Sequence, residues 1–264
     1  MRINLRKSLF ILPNLFTLSS IYCGFYAILL SGGSPTPDDL YRASLLIIFS
    51  MFFDMVDGRV ARLTRTQSAF GVEIDSLADV VSFGVAPATL VYAWSLSALG
   101  SVGVFAAFAY VACGAIRLAR FNVLATDTSG RPKKPSKYIL GLPIPGAAGI
   151  LVSLVAANHA MEGQLAVRHG VIAVIMFSLS FFMVSTIKFR SFKDLRLSWR
   201  TALLVLLAVG TGVVMAVKLH VAFALGWMLT SYVAIGLFET LIGLSRRLRR
   251  SGREPNEETL KSGL

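Results

Sequence analysis

Eight apolar stretches, each long enough to cross a lipid bilayer as a helix, follow one another along nearly the whole chain. They run over residues 10–31, 40–61, 72–96, 101–122, 140–158, 169–187, 201–218 and 220–243. Hydrophobic residues make up 55% of the 264 positions and charged residues only 15%, against about 25% in soluble domains. Because lipid offers the backbone no hydrogen bonds, such stretches fold as helices. The sequence therefore predicts an all-α fold, a polytopic membrane helical bundle with about eight transmembrane helices.

The basic residues are divided unevenly between the two sides of these spans. With the N-terminus in the cytoplasm, all but three of the 26 lysines and arginines fall on the cytoplasmic side, the exceptions being Arg42, Arg168 and Lys218. Because positively charged loops stay inside, this distribution predicts that both termini are cytoplasmic. Anionic lipids of the inner leaflet then account for the net charge of +12 without a nucleic acid partner. We predict a multi-pass protein of the inner (cytoplasmic) cell membrane, in contact with membrane lipids.

The chain divides into one membrane-embedded domain, residues 1–244, and a basic and polar cytoplasmic tail, residues 245–264. Residues 3–12 are expected to form a short interfacial segment, because Pro13 and Asn14 interrupt the apolar run that follows. No stretch has the composition of a soluble domain, so a catalytic site has to be built from the spans and their connecting loops.

Acidic residues are concentrated in a segment that is otherwise apolar. Five of the 14 carboxylates lie between Asp54 and Asp79, although an ionised side chain inside a span costs about 2.5–3.5 kcal/mol. Asp54 and Asp57 are spaced i, i+3 near the end of the second span, and Asp75 and Asp79 are spaced i, i+4 near the start of the third. Each pair shares one helix face. Two antiparallel helices joined by a short loop would bring all four carboxylates together near the cytoplasmic surface.

Four carboxylates at close quarters repel one another unless cations neutralise them. Mg²⁺ or Mn²⁺ suits hard oxygen ligands, and a pair of such ions about 3.5–4 Å apart clamps phosphoryl oxygens. We therefore predict a metal site for two ions, formed by Asp54, Asp57, Asp75 and Asp79. Simple pairing with the nearby arginines is the alternative, but three arginines at the interface do not require four carboxylates inside.

Three residues between the aspartates suit a diphosphate ligand. Gly58 allows a ligand to approach the backbone, because no side chain stands in its way. The planar guanidinium of Arg62 can hold two phosphate oxygens. Gly71 opens the third span, where backbone N–H groups and the helix dipole favour anions. These residues predict binding of a phosphorylated substrate beside the metal.

The segment Asp54-x2-Asp57-Gly58-x2-Ala61-Arg62-x8-Gly71-x3-Asp75-x3-Asp79 resembles the signature of the CDP-alcohol phosphatidyltransferases. The resemblance implies a helical bundle with its site on the cytoplasmic side. It also implies a divalent-metal reaction in which an alcohol displaces CMP from a CDP-linked lipid. By the same resemblance Asp79 is the catalytic general base, while Gly58, Ala61 and Gly71 leave room for cytidine.

Four further motifs are similar to the branch of this family whose acceptor is serine. They are Pro13-Asn14-x2-Thr17, the segment from Asp79 to Pro87, Arg117-Leu118-Ala119-Arg120-Phe121-Asn122, and Gly141-Leu142-Pro143-x-Pro145. The resemblance implies transfer of the phosphatidyl group from CDP-diacylglycerol to the hydroxyl of L-serine, which forms phosphatidylserine and releases CMP. It places Asn14 and Thr17 at the CDP group. A homodimer is implied by the resemblance alone.

The residues themselves suggest where the acceptor binds. Serine needs a cation for its carboxylate, and Arg117 and Arg120 lie on one face at the inner end of the fourth span. Both arginines could instead serve as positive-inside anchors. Asn122 and Lys137 could contact substrate or phosphate, although a solvated loop explains them equally well.

Three alternative functions remain open on the sequence. A sister enzyme would use another alcohol, such as glycerol 3-phosphate or inositol phosphate, and a phosphorylated acceptor would demand more cations around the pocket. An intramembrane prenyltransferase also uses aspartate-rich motifs, but its motifs lie far apart in sequence. A divalent-cation transporter would place acidic residues nearer mid-membrane and over more spans.

Overall fold

The structure is a computed structural model that describes residues 5–64, 66, 68–125, 138–163, 168–190, 199–218, 221–231 and 233–235. The helices are α1 Leu5–Ser31, α2 Pro37–Thr64, α3 Ala69–Asp79, α4 Ala86–Trp94, α5 Ser101–Ala125, α6 Ile144–Ala160, α7 His169–Val184, α8 Trp199–Lys218 and α9 Val221–Ile235. A π-helical turn, Val80–Val85, joins α3 to α4, and a 3₁₀ turn, Leu96–Leu99, follows. The strands are β1 Tyr138–Leu140 and β2 Lys188–Arg190. The prediction of a helical fold is thus confirmed, with the short strands as an unpredicted addition.

Three helical segments are long and apolar enough to cross a membrane by length and composition: Pro13–Ser31, Ala69–Trp94 and Ser101–Leu124. Shorter apolar helices are Ile144–Ala160, His169–Val184 and Val221–Ile235. The second of the long segments is α3, the π turn and α4 in one continuous rod, so the predicted third span is a single helix with an irregular turn inside it. The described helices therefore have the character of a membrane bundle.

The first helix is continuous through the predicted interfacial segment. It runs from Leu5 to Ser31 with Pro13 inside it, and its membrane-length part begins at Pro13. The interfacial position of residues 3–12 stays a prediction. A proline inside a helix removes one backbone N–H and crowds the carbonyl four residues earlier, and helices in membranes tolerate this where other groups satisfy the freed carbonyl. The Thr17 hydroxyl lies 3.2 Å from the carbonyl oxygen of Pro13 one turn earlier.

Side chains define the N-terminal end of α2. At the N-terminal end, the Asp39 amide donates to Thr36 Oγ1 at 3.2 Å, and the Thr36 amide donates to Asp39 Oδ2 at 3.1 Å. This reciprocal capping box is followed by Pro37 in the first turn, where a missing N–H is harmless. His159, from the last turn of α6, stacks on Tyr41 with ring centroids 4.3 Å apart and places Nε2 2.9 Å from Asp38 Oδ1. These contacts fix the N-terminal end of α2 to α6.

The core is formed around α6, the π turn and α5. These elements approach closely because glycines on one element leave room for large side chains of another. A Cβ added at Gly114 would lie 2.6 Å from Ile144 Cδ1, and one added at Gly84 would lie 3.7 Å from the same atom. At Gly149 it would lie 2.4 Å from Leu229 Cδ1, so α9 also packs on α6. Small residues at such interfaces are the usual means of bringing membrane helices together.

The two strands pair in antiparallel fashion, with Tyr138 opposite Arg190 and Leu140 opposite Lys188. The chain then turns at Gly141, whose φ of 75° favours glycine, and its amide donates to the carbonyl of Ile187 at 2.9 Å. A Cβ at Gly141 would also lie 2.2 Å from the Met183 carbonyl oxygen. This turn fixes the start of α6 against the end of α7.

Candidate active site

Three of the four predicted aspartates converge. Asp54 and Asp57 on α2 and Asp75 on α3 each offer a carboxylate oxygen, and these oxygens lie within 4.8 Å of one another. Asp57 is buried, and the other two are half-buried. The predicted i, i+3 spacing therefore does place both α2 carboxylates on the face that meets α3. Such close carboxylates are stable together only when a proton or a cation offsets their repulsion.

Asp79 lies one turn further along the rod, beside this group of three. Its carboxyl group is within hydrogen-bonding range of that of Asp54 and within electrostatic range of Arg117 on α5. Its Oδ1 atom is buried and has no hydrogen-bond partner within the described part of the chain. Buried polar atoms are nearly always satisfied in folded proteins, so this oxygen is available to a ligand or a proton.

The donor set fits a hard divalent cation. All the convergent ligands are carboxylate oxygens, with no thiol or imidazole among them. Oxygen-only ligand sets favour Mg²⁺, Mn²⁺ or Ca²⁺ over softer metals. The Asp79 oxygen that lacks a hydrogen-bond partner could serve as a fourth metal ligand beside these three. The aspartates could therefore hold a metal ion at the junction of α2 and α3.

Thr17 on α1 contacts one of the three convergent aspartates. Its hydroxyl is buried and lies 2.8 Å from Asp57 Oδ2. A hydrogen bond of this kind orients a carboxylate ligand and is the usual outer contact of a metal site. The sequence motif predicted Thr17 at the CDP group, and the structure places it behind Asp57. Asn14, predicted at the same group, is half-buried one turn earlier on α1.

Three of the predicted diphosphate-binding residues, Gly58, Ala61 and Arg62, follow Asp57 directly on α2. Arg62 folds back over Gly58, so that a Cβ there would be 3.4 Å from one guanidinium nitrogen. The Arg62 side chain is exposed and within electrostatic range of Asp57. Ala61 is half-buried on the adjoining turn of α2. Gly58 and Arg62 together therefore form an open, positively charged rim.

Gly71 differs in detail from the expectation. Its amide was expected to be available to an anion at the start of the third span, but it donates to Ser68 Oγ at 3.0 Å, and Ser68 is the N-cap of α3. A Cβ at Gly71 would come within 3.2 Å of that oxygen. Glycine therefore suits this position because the Ser68 cap leaves little room for a side chain.

The predicted acceptor residues fall into different surroundings. Arg117 is buried near Asp79, with its guanidinium 5.6 Å from the Phe121 ring centroid. The Asn122 amide donates to Ser76 Oγ at 2.9 Å, next to Asp75 in sequence. Arg120 faces α7 instead, as described below, and Lys137 lies outside the described residues. Arg117 is thus the predicted acceptor cation that the structure brings closest to the aspartates.

Arg120 binds the C-terminal end of α7. Its two terminal nitrogens donate to the carbonyl oxygens of Val184 at 2.7 Å and Ser185 at 3.0 Å. A guanidinium at a helix C-terminus satisfies carbonyls that have no partner within the helix and interacts favourably with the dipole. These contacts support a bracing role, and its part in acceptor binding stays a prediction.

Two serines near the site were not singled out from the sequence. Ser68 caps α3, and Ser76 receives the Asn122 amide. A helix-start signal was available for Ser68, since a serine directly before an apolar periodic segment is a typical N-cap. No sequence signal was available for Ser76, because its partner is 46 residues away.

The helical bundle and its acidic site define a class of membrane-embedded proteins that act on phosphorylated lipid substrates. The chain belongs to the CDP-alcohol phosphatidyltransferase family, whose model matches residues 10–184. It is 39% identical over 202 residues to a CDP-diacylglycerol–serine O-phosphatidyltransferase from Helicobacter pylori, covering 75% of this chain and 80% of that protein.

Similarity extends to relatives of the same name in distant organisms. The Bacillus subtilis protein is 35% identical over 182 residues, which cover 69% of this chain and 91% of the relative. The Methanocaldococcus jannaschii protein is 36% identical over 178 residues, which cover 67% and 73% respectively. The family expected from the Asp54–Asp79 signature is therefore confirmed.

Proposed function

We propose that this enzyme transfers the phosphatidyl group of CDP-diacylglycerol to the hydroxyl of L-serine, forming phosphatidylserine and releasing CMP. The observation that carries the proposal is the convergence of Asp54, Asp57 and Asp75 beside Asp79, in a chain whose relatives bear the name of this reaction. The acidic group lies between helices of a membrane bundle, where a lipid substrate is at hand.

The aspartates would hold Mg²⁺ or Mn²⁺. Asp54, Asp57 and Asp75 would bind one ion, and Asp79 would complete a second site with them. When bound, the metal supplies positive charge that neutralises diphosphate oxygens and the charge developing on the leaving CMP. Thr17 keeps Asp57 oriented toward the group through its hydroxyl.

The rim above the aspartates binds the CDP portion of the donor. Arg62, folded over Gly58 and open to solvent, pairs with diphosphate oxygens through its planar guanidinium. Gly58, Ala61 and Gly71 carry little or no side chain, which leaves space for cytidine. Asn14, on the α1 turn before Thr17, adds a polar contact. The two acyl chains remain in the lipid.

Serine is bound between Asp79 and Arg117. The buried Arg117 guanidinium pairs with the serine carboxylate, with Asn122 and Lys137 as further polar contacts to substrate or phosphate. The unsatisfied Asp79 Oδ1 accepts the proton of the serine hydroxyl. The serine oxygen then forms a bond to the lipid-linked phosphorus as the bond from that phosphorus to CMP breaks. Because a carboxylate is a weak base, alignment of the hydroxyl supplies much of the rate.

The topology proposed for this reaction has eight transmembrane helices with both termini in the cytoplasm. It is supported by the basic loops and by the apolar character of α1, the α3–α4 rod and α5. In this orientation the site faces the cytoplasm at the inner membrane, where CMP is released. Assembly into a homodimer remains an expectation from family resemblance.

The test is CMP release by purified protein in detergent micelles containing CDP-diacylglycerol. Activity should require both a divalent metal and L-serine, and it should be absent in Asp57→Asn. Glycerol 3-phosphate and inositol phosphate, supplied in place of serine, should give none. Release with one of these alcohols but not with serine would instead identify a sister enzyme, and metal uptake into vesicles without any CMP release would favour a transporter.

A further inference from the structure

The π turn Val80–Val85 begins at the residue after Asp79. The Ala86 amide donates to the carbonyl of Val81, five residues earlier, which is the hydrogen bond that defines this turn. A π turn spreads one extra residue over the helix and shifts the faces before and after it by about 100°. Asp75 and Asp79 lie on one side of this shift, and the buried α4 helix lies on the other.

Three consecutive residues of the turn contact three different helices. Ser82 donates to the Ser20 carbonyl on α1 at 3.0 Å, and Gly24 packs so closely that a Cβ there would lie 2.7 Å from Ser82 Cα. The carbonyl of Phe83 accepts from the Tyr110 hydroxyl of α5 at 3.1 Å. Gly84 faces Ile144 of α6. The irregular turn is therefore anchored from several sides.

The groups that anchor the turn are buried. Ser82, Phe83 and Tyr110 are fully buried, and Tyr110 is the largest fully buried side chain among the described residues. Ser20 additionally lies 2.7 Å from Ser50 Oγ of α2, one turn before Asp54. Packing alone would be satisfied by phenylalanine and alanine. The Tyr110 hydroxyl satisfies the Phe83 carbonyl, which Pro87 leaves without the N–H that a regular helix would supply four residues later, and the Ser82 hydroxyl ties the turn to the backbone of α1.

We propose that the π turn aims Asp79 into the site, and that Tyr110 and Ser82 are positioning residues for the phosphatidyl transfer. Without their hydrogen bonds the turn is no longer fixed against α1 and α5, which would let the Asp75–Asp79 face rotate relative to α2. Misplacement of a reacting group by about 1 Å is enough to reduce turnover 100-fold. The inference rests on the base role proposed for Asp79.

Tyr110→Phe tests the inference because it removes one hydroxyl and retains the ring. In CMP-release assays kcat should fall about 10- to 100-fold, with KM for CDP-diacylglycerol little changed. Ser82→Ala should show the same split between kcat and KM, and it decides the matter if Tyr110→Phe does not fold. Ser44→Ala is the matched control, since its equally buried hydroxyl bonds only to the Leu40 carbonyl of its own helix.

Thermal unfolding in detergent separates positioning from general stability. The inference predicts that Tyr110→Phe melts close to Ser44→Ala while turning over far more slowly. It is overturned if kcat of both test variants equals that of the control, or if the loss of activity is matched by a loss of folded protein. Asp79→Asn is assayed in parallel: if that variant is active, the base proposal fails, whereas an inactive Asp79→Asn together with fully active Tyr110→Phe and Ser82→Ala refutes the π-turn inference alone.

Discussion

At the scale of single residues, the site depends on how Asp79 differs from its three neighbours. Asp54, Asp57 and Asp75 form the compact group, while Asp79 keeps one buried oxygen without a partner among the described residues. Asparagine preserves the size of the side chain but is a far poorer proton acceptor. Asp79→Asn should therefore lose at least about 100-fold in turnover while still binding CDP-diacylglycerol.

Serine-dependent CMP release and a thermal shift with CDP-diacylglycerol measure the two effects separately. Glu73→Gln is a suitable control, because Glu73 is an exposed carboxylate on the same helix. Robust turnover by Asp79→Asn would contradict the base role.

The contact of Thr17 with Asp57 gives a second prediction. Thr17→Val replaces the hydroxyl with a methyl of similar size and leaves Asp57 without its 2.8 Å donor. Since outer hydrogen bonds tune metal affinity about 10- to 100-fold, the Mg²⁺ concentration for half-maximal activity should rise by that order. Thr17→Ser keeps the hydroxyl and should stay close to wild type. An unchanged Mg²⁺ dependence in Thr17→Val would show that the hydroxyl does not support the metal site.

The sequence predicted contacts between residues that are close along the chain and missed contacts between residues that are far apart. The i, i+3 spacing of Asp54 and Asp57 determines a shared face, because helical periodicity is local. The direction of the Thr17 hydroxyl depends on a residue 40 positions away, so its motif predicted the correct neighbourhood and missed the contact. The Arg120 contacts with α7 span 64 and 65 positions and were equally inaccessible.

At the scale of elements, regular helices were predictable and their joints were not. Apolar length placed the start of α5 at residue 101 and the start of α7 at residue 169, both as observed. The π turn was not predicted, although Pro87 supplies no N–H to the Phe83 carbonyl four residues earlier; its exact form also depends on partners on α1 and α5. The β1–β2 ladder likewise depends on an encounter between strands 50 residues apart in sequence.

Arg120 supplies the prediction at this scale. Arg120→Gln removes the charge and at least one of the two bonds to the end of α7, and each charge-assisted bond contributes about 1.5–3 kcal/mol. The melting temperature should fall by several degrees, with KM for serine unchanged. Ser178→Ala, which alters an exposed hydroxyl bonded only within α7, is the control. A large rise in KM for serine at normal stability would instead support the acceptor role predicted from the sequence.

At the scale of the whole molecule, the distribution of charge predicts sidedness. In a variant without Cys23 and Cys113, single cysteines at Glu162→Cys and Ser262→Cys report opposite faces. Glu162 is exposed in the turn between α6 and α7, on the side opposite the basic loops. A membrane-impermeant thiol reagent should label Glu162→Cys in intact cells and Ser262→Cys only after permeabilisation. Labelling of Ser262→Cys from outside would refute a cytoplasmic C-terminus.

The two attachments of α2 restrict what can move during turnover. One end is clamped by the Tyr41–His159 stack and by Asp38, and the other by the Thr17 hydroxyl on Asp57. These contacts oppose sliding of α2 along its own axis and favour a constant depth for its carboxylates. A lipid-linked donor would then reach them by lateral diffusion within its own leaflet, so we expect its supply to depend on the fluidity of the surrounding bilayer.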